Sequence, residues 1–466
     1  MQLPEKKLDR ALKDSIKDGA SYSAMDGITS TYATPFALAM GANNAQVGFL
    51  NSIPSLFSTL LQPFIGRYIE RMGRKDVCES LSFLQKLLII PIIFIPMFFL
   101  SEGIFIFILL ATLSNVILSF ANTAWSSWIG NIVPEKIRGS YFGKRSMISS
   151  AFSFSTTLLG GWILGLTDSL LGFSFIFFMA FIFGLMSYFY LTKIPDVRYR
   201  ESEKIIPDLF ESVKDSKKYR NFNPFKNHMA LVNFAVNLSS PFFTVYMLSV
   251  MNIGYQWYGL VVASEVLAKI LMQRYWGVLS DKFGDRSVMG LCNIMIVFYP
   301  FLFLFASNPF LLILVAIFSG IAWSGFDLTA FNYLLDVTPP DNRSSYISSF
   351  KITNGMALFL GPFIGGLLSQ YLSSTATFSL NGLQVLFVIS FVLRGVVTAY
   401  GLPKLREARA RRIMPARDVF LRTFAYYPLR GITNEIMYVH SRIGSIENSI
   451  KNVESGISKR FNRKKL

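Results

Sequence analysis

Long uncharged apolar stretches recur through this chain too often for the core of a water-soluble protein. Residues 87–100, 104–113, 173–189 and 297–305 carry no ionisable acid or base, and a helix that crosses a bilayer needs about 20 largely apolar residues. One stretch defines no span; their number does. Across 466 residues, 52% are hydrophobic and only 16% charged, with 45 Phe and a mean hydropathy of +0.43. That balance lies outside the soluble globular range.

Apolar windows between charged breaks predict about twelve spans. Six run over residues 20–40, 45–66, 80–100, 103–132, 147–166 and 172–191. Six more run over 229–251, 255–279, 288–307, 310–335, 346–372 and 382–402. Loop charge supports this division. The turns around Gly41, Glu102, Asp168, Asn252, Asn308 and Thr375 contain no Lys or Arg, whereas the alternate loops hold Arg67, Arg71, Arg74 and Lys75, then Lys136, Arg138, Lys144 and Arg145, then Lys282 and Arg286, then Arg343. Bases concentrate on the cytoplasmic side of a membrane, so an even number of spans with both termini in the cytoplasm is expected, in the cell membrane.

The same reading divides the chain into five parts. Residues 1–19 read as an amphipathic segment on the membrane surface rather than a cleavable signal, 20–194 as a first six-helix bundle and 195–227 as a polar cytoplasmic linker in which 206–219 has the pattern of a surface helix. Residues 228–402 form a second bundle, and 403–466 a basic tail. The net charge is +17, which in a soluble chain would favour nucleic acid as partner. Here the excess lies in the tail, where residues 402–466 hold 15 Lys and Arg against 5 Asp and Glu. Arg406, Arg409, Arg411, Arg412, Arg417 and Arg422 interleave with Phe420, Leu421 and Phe424. This suits a helix on an anionic leaflet, with a solvated tail as the other reading. The predicted partners are therefore a small solute and membrane lipids, with no nucleic acid, and the chain is expected to be a monomer.

An internal repeat narrows the fold. After the second span stand Gly66, Glu70, Arg71 and Gly73, followed by Arg74 and Lys75; after the eighth, 211 residues later and in the same spacing, stand Gly277, Asp281, Lys282 and Gly284, followed by Asp285 and Arg286. Pro134, Arg138 and Tyr141 repeat as Pro339, Arg343 and Tyr346, and Gly160–Gly161 as Gly365–Gly366, both 205 residues later. Gly66 and Gly277 suit close helix approach, Gly73 and Gly284 a tight turn. Glu70 and Asp281 suit acceptance of hydrogen bonds from the facing helix start, with the neighbouring bases pairing to acids at helix ends. The other reading is charge that merely orients the spans.

These motifs and the twelve-span pattern resemble a major facilitator superfamily transporter over nearly the whole chain. The resemblance implies an all-α integral membrane protein of two pseudo-symmetric six-helix bundles, with a substrate site between them and alternating access to it. The repeated loop would act as a cytoplasmic latch favouring the outward-open state, with Asp336 a partner for Lys282 or Arg286. The run Gly361, Pro362, Phe363, Ile364, Gly365, Gly366 resembles a Gly-Pro motif of the family's antiporters, displaced here into the other half. No Lys or Arg lies between residues 103 and 133, unlike many members that exchange drugs for protons.

Ionisable residues inside spans are functional candidates. They are Asp26, Lys86, Glu265, Lys269, Arg274, Asp327, Lys351 and Arg394. Glu265, Asp327 and Arg394 fall near mid-depth, while Lys86, Arg274 and Lys351 lie close enough to the cytoplasm to snorkel. Glu265 and Lys269 are four apart and suit a neutralising pair. Asp26 and Asp327 have no base within a turn in sequence, and by family analogy spans 1 and 10 line the cavity. Proton-coupled transport is therefore expected, with Asp26 and Glu265 leading and Asp327 next. Asn115, Asn122, Trp125, Asn233, Asn237, Tyr32 and Asn332 are further cavity candidates, with interhelical hydrogen bonding or packing as the other reading. Arg394 is expected either to meet an anionic substrate or an acid, or to flank lipid as scaffold.

Nothing indicates an enzyme. His228 and His440 are the only histidines and Cys78 and Cys292 the only cysteines; none sits in a nucleophile or metal-ligand spacing, so no cofactor or metal is expected. No GxxxxGK[ST] sequence occurs, so the energy source must be a gradient. The alternative reading is a non-transporting protein of the same fold, acting as sensor, lipid-handling protein or scaffold.

Overall fold

A computed structural model describes residues 4–98, 102–134, 137–167, 170–196, 221–338, 343–374 and 381–407. Twelve helical rods follow one another: α1 (Glu5–Ala39), α2 (Asn44–Met72), α3 (Arg74–Phe98), α4 (Gly103–Ile132), α5 (Arg138–Thr167), α6 (Leu170–Thr192), α7 (Phe222–Val250), α8 (Gly254–Phe283), α9 (Asp285–Leu304), α10 (Pro309–Val337), α11 (Arg343–Ser374) and α12 (Gly382–Gly401). Nine of these rods are long and apolar enough to cross a bilayer on composition alone. The other three, α1, α2 and α8, are diluted by the polar residues they carry, and these are among the helices that form the seam between halves.

Several boundaries differ from expectation, each for a local reason. The segment 1–19 is no separate surface helix: from Glu5 it is continuous with the first span, giving a rod of 35 residues, about 50 Å long. Its stripe Ala11, Ser15 and Asp18 is buried because α5 comes up to it, Tyr141 donating to the Leu12 carbonyl at 3.4 Å and Arg145 Nε to the Ser15 carbonyl at 3.1 Å. The expected linker ends early, since α7 begins at Phe222 and buries Phe225. The surface helix expected over 206–219 and the tail from 408 lie outside the described residues.

Proline sets the two broken rods. α3 is interrupted at Leu88, three residues before Pro91, whose missing N–H leaves the Leu87 carbonyl without its helical donor. α7 consists of Phe222–Asn237, a break at Leu238 and Ser239 ahead of Pro241, Ser240–Val245 and a π-helical turn at Tyr246–Val250. Gly73 and Gly284 each form the single-residue link between two rods, both at φ +89°; a side chain there would be strained.

The two halves share one end and divide at the other. A single apolar cluster joins Tyr32, Phe36 and Phe173 of the first half to Phe242, Tyr258 and Phe303 of the second. At the end that carries the termini, each half has its own cluster, around Trp128 and Ile129 in one and Phe225, Trp276 and Tyr333 in the other.

Candidate functional site

At the joined end the halves touch through backbone and rings. A Cβ on Gly366 of α11 would lie 2.9 Å from the Cα of Gly48 of α2, and one on Gly161 of α5 would lie 3.0 Å from the Cα of Gly259 of α8. The repeated glycine pair therefore packs each half against the other, as small residues do at membrane helix crossings. Tyr258 donates to the Thr31 carbonyl at 3.0 Å and Asn44 to Ser373 at 3.3 Å. Phe49 stacks on Phe363 at 5.6 Å and Tyr255 meets Phe173 edge-on at 5.3 Å.

Below this seal, toward the terminal end, α2, α4 and α11 enclose a cleft of about 590 Å³. Its floor on α4 is a polar stripe, Asn115, Ser119, Asn122 and Ser126, spaced four, three and four residues so that all four share one helical face. Facing it are Ser58, Thr59 and Gln62 of α2 and Lys351 and Asn354 of α11. Asn233 of α7 reaches the cleft through Asn354, donating to its Oδ1 at 2.7 Å, while Asn237 donates to the Asn233 carbonyl at 2.8 Å.

The expected carboxylates do not gather there. Asp26 lines a second cavity of about 480 Å³ between α1, α4 and α5, with Tyr22, Trp125 and Arg145, and accepts from Ser30 at 2.7 Å. Glu265 accepts from Ser319 of α10 at 3.1 Å. Lys269 lies 3.3 Å from Asp327, so the base expected to neutralise Glu265 from four residues away forms its ion pair with α10 instead. Asp327 thus gains across the helix seam the partner its own sequence neighbourhood lacks.

Three other candidates are structural. Tyr32 is fully buried and donates to the Thr157 carbonyl at 2.5 Å. Asn332 donates to Asp285 at 3.2 Å. Arg394, 3% exposed, forms no ion pair among the described residues: it donates to the carbonyls of Ile296 and Val236 at 3.0 and 3.2 Å and to the hydroxyls of Ser239 and Ser390 at 3.0 and 3.1 Å. The break in α7 supplies Val236 and Ser239, and α9 supplies the Ile296 carbonyl, whose helical donor is missing because the fourth residue on is Pro300. Lys86 does not snorkel either; it is 2% exposed, over the Tyr22 ring at 5.6 Å.

A buried ionic group was missed by reading the sequence. Asp18 accepts from Ser187 at 2.8 Å and lies 3.5 Å from Arg145, whose guanidinium stacks 4.3 Å from the Trp125 ring centre. The signal was the four-and-three spacing of Ala11, Ser15, Asp18, Tyr22 and Met25, which carries the buried face of the first span back into the polar segment.

At the latch, the side chains of Gly66, Glu70, Arg71 and Arg343 lie outside the described residues. Gly277 makes no close approach, since a Cβ there would meet its nearest neighbour, Leu328, at 3.8 Å. Ser280 donates to Asp285, and the Arg286 N–H donates to Glu407 at 3.2 Å. Asp336, Arg286 and Glu407 all act electrostatically on Tyr333, whose hydroxyl donates to the Arg406 carbonyl at 2.5 Å. The start of the tail therefore belongs to this cluster. Trp128, 205 residues before Tyr333, makes the matching bond to the Pro195 carbonyl at 3.3 Å.

The Major Facilitator Superfamily model matches residues 19–257 and again 228–438, one match to each half. The chain belongs to this superfamily. An uncharacterised MFS-type transporter of Methanocaldococcus jannaschii is 23% identical over 72% of this chain and 85% of its own length. A multi-drug resistance efflux pump PmrA homolog of Lactococcus lactis is 22% identical over 80% and 90%. The crystal structure of a D-xylose-proton symporter superposes with a TM-score of 0.66 at 13% identity, covering 86% of this chain and 98% of that one, a likeness of fold. This superfamily member is thus a multi-pass helical membrane protein of a transporter family, and not an enzyme.

Proposed function

We propose that the chain is a secondary active transporter that carries a small solute by alternating access between its two bundles, coupled to protons. The observation that carries this reading is the polar cleft between halves that are sealed to each other at one end only. A cleft at membrane depth that sets amides, hydroxyls and one base among apolar side chains suits a solute better than a packed scaffold, because polar groups inside a bilayer are costly without a partner or water. With the basic loops and both termini in the cytoplasm, the geometry corresponds to an inward-open state, in the cell membrane, of a protein that acts as a monomer. The tail from residue 403 is assigned to the anionic inner leaflet and the repeated loops to the latch of the opposite state.

Asp26 and Glu265 are the proton sites in this reading, with Lys269 and Asp327 as a pair that can exchange partners when α8 and α10 move. Asn115, Asn122, Asn233 and Asn237 serve the solute. The reading is supported by the place of Asp26 in a cavity rather than in a closed ion pair, and by the single serine that supports Glu265. Proteoliposomes with an imposed pH gradient test it. Asp26→Asn and Glu265→Gln should each abolish uphill accumulation while leaving counterflow; unchanged accumulation in both variants would remove the assignment.

A further inference from the structure

The cleft also carries information about what it holds. Among the described residues that line it, Lys351 is the single ionisable side chain. It is exposed on the face of α11 that looks across to α2 and α4, and no carboxylate lies within ion-pair distance of it among the described residues. A second cation stands beside the same stretch of α11: Lys226 of α7 donates to Ser349 at 3.4 Å. The carboxylates of the spans among the described residues stand elsewhere, Asp26 in the second cavity, Glu265 with Ser319 and Asp327 with Lys269.

Several of the hydroxyls and amides around Lys351 already spend a proton on their own helix. Thr59, Thr123 and Ser126 each donate their own proton to a carbonyl one turn back, at 2.7, 2.9 and 2.7 Å, and Asn115 does so through its Nδ2 at 2.9 Å. Their oxygens are left as acceptors toward the cleft. Together with Ser58, Ser119, Gln62 and Asn122, which can donate or accept, they suit a ligand rich in hydroxyls, and a lone cation selects one with a negative charge.

From this we infer that the solute is a small polyhydroxylated anion, such as a sugar acid or sugar phosphate, with its anionic group on Lys351 and its hydroxyls donating to α2 and α4. This rests on the transport reading and specifies the substrate class of the same cleft. A lipophilic cation would meet the wrong charge there.

The test uses purified full-length protein in detergent, with gluconate and glucose 6-phosphate as probes, xylitol as neutral polyol and tetraphenylphosphonium as cation. Because a ligand raises the melting temperature of the state it binds, at least one of the two anions should raise Tm in a concentration-dependent way. Lys351→Arg should keep that shift. Lys351→Gln should weaken the apparent affinity by about tenfold or more, the usual loss for a charge-assisted contact, with an unliganded Tm equal to that of the parent protein as the control for folding. A shift that survives in Lys351→Gln overturns the inference, as does stabilisation by xylitol or tetraphenylphosphonium alone; in the latter cases the transport reading stands. If neither anion shifts Tm, the substrate class is wrong, and the pH-gradient flux decides separately whether the protein transports.

Discussion

The two ends of the interface between the bundles are built on different principles. At the sealed end, one apolar cluster runs through both halves, glycine faces glycine, and ring stacks on ring. At the open end, each half closes its own core, Trp128 and Tyr333 tie down the segments that leave α6 and α12, and charged loops replace rings. Packing with few hydrogen bonds and, among the described residues, no ion pair gives a contact that can part without stranding a buried charge. Rigid cores on the other side let each half move as a body. In the proposed cycle, the difference places the hinge action in the sealed end and the rigidity in the open end.

The largest effect should come from filling the sealed end. Gly366→Leu places a branched side chain where a Cβ already falls 2.9 Å from the Cα of Gly48, so the seal cannot form. Flux in proteoliposomes should fall to background, at least about a hundredfold on the scale of lost geometry, while the protein remains extractable and monodisperse. Normal flux in this variant would break the comparison.

Next in size is the buried guanidinium. Arg394→Met removes the donor from the Val236 carbonyl at the α7 break and from the Ile296 carbonyl of α9. The cost should be about 3 kcal/mol, read as a Tm several degrees lower, with the KM for any transported solute unchanged. A changed KM with an unchanged Tm would return Arg394 to the substrate.

Smaller still is the tie at the open end. Tyr333→Phe removes one hydrogen bond to the Arg406 carbonyl and should cost about 1 kcal/mol, with faster proteolysis of the tail as the more sensitive reading. The Lys269–Asp327 pair, with side chains 38% and 58% exposed, should show a coupling below about 1 kcal/mol in a double-mutant cycle of Lys269→Met and Asp327→Asn. A larger value would mean that the pair is desolvated in the working protein.

Much of this fold was legible in the sequence because its causes are local. Apolar length, the positions of loop bases and the positive-φ demand at Gly73 and Gly284 act within a few residues. The α4 stripe was half visible: Asn115 and Asn122 stood out as amides in an apolar run, while Ser119 and Ser126 between them did not. What stayed hidden depends on partners far along the chain. Lys269 chooses between an acid four residues away and one on α10, and only the crossing of α8 and α10 decides. Arg394 looked like a mid-membrane charge in search of an acid because most of the acceptors that satisfy it, Val236 and Ser239 beside the α7 break and Ile296 on α9, lie far back along the chain. Lys351 and Lys86 look alike in sequence, yet one opens to the cleft and the other is covered by α1 and α6, whose approach no window of the sequence contains.

The claim on which the rest depends is that the two ends open in turn. Cys78 and Cys292 are buried, so introduced cysteines can be labelled selectively with spin probes: Glu102→Cys with Phe305→Cys reports on the sealed end, and Ile137→Cys with Val278→Cys on the open end, all four positions being exposed. On acidification or on addition of a transported solute, the first distance should lengthen as the second shortens. Two distances that stay fixed, or that rise and fall together, would contradict alternating access in this chain.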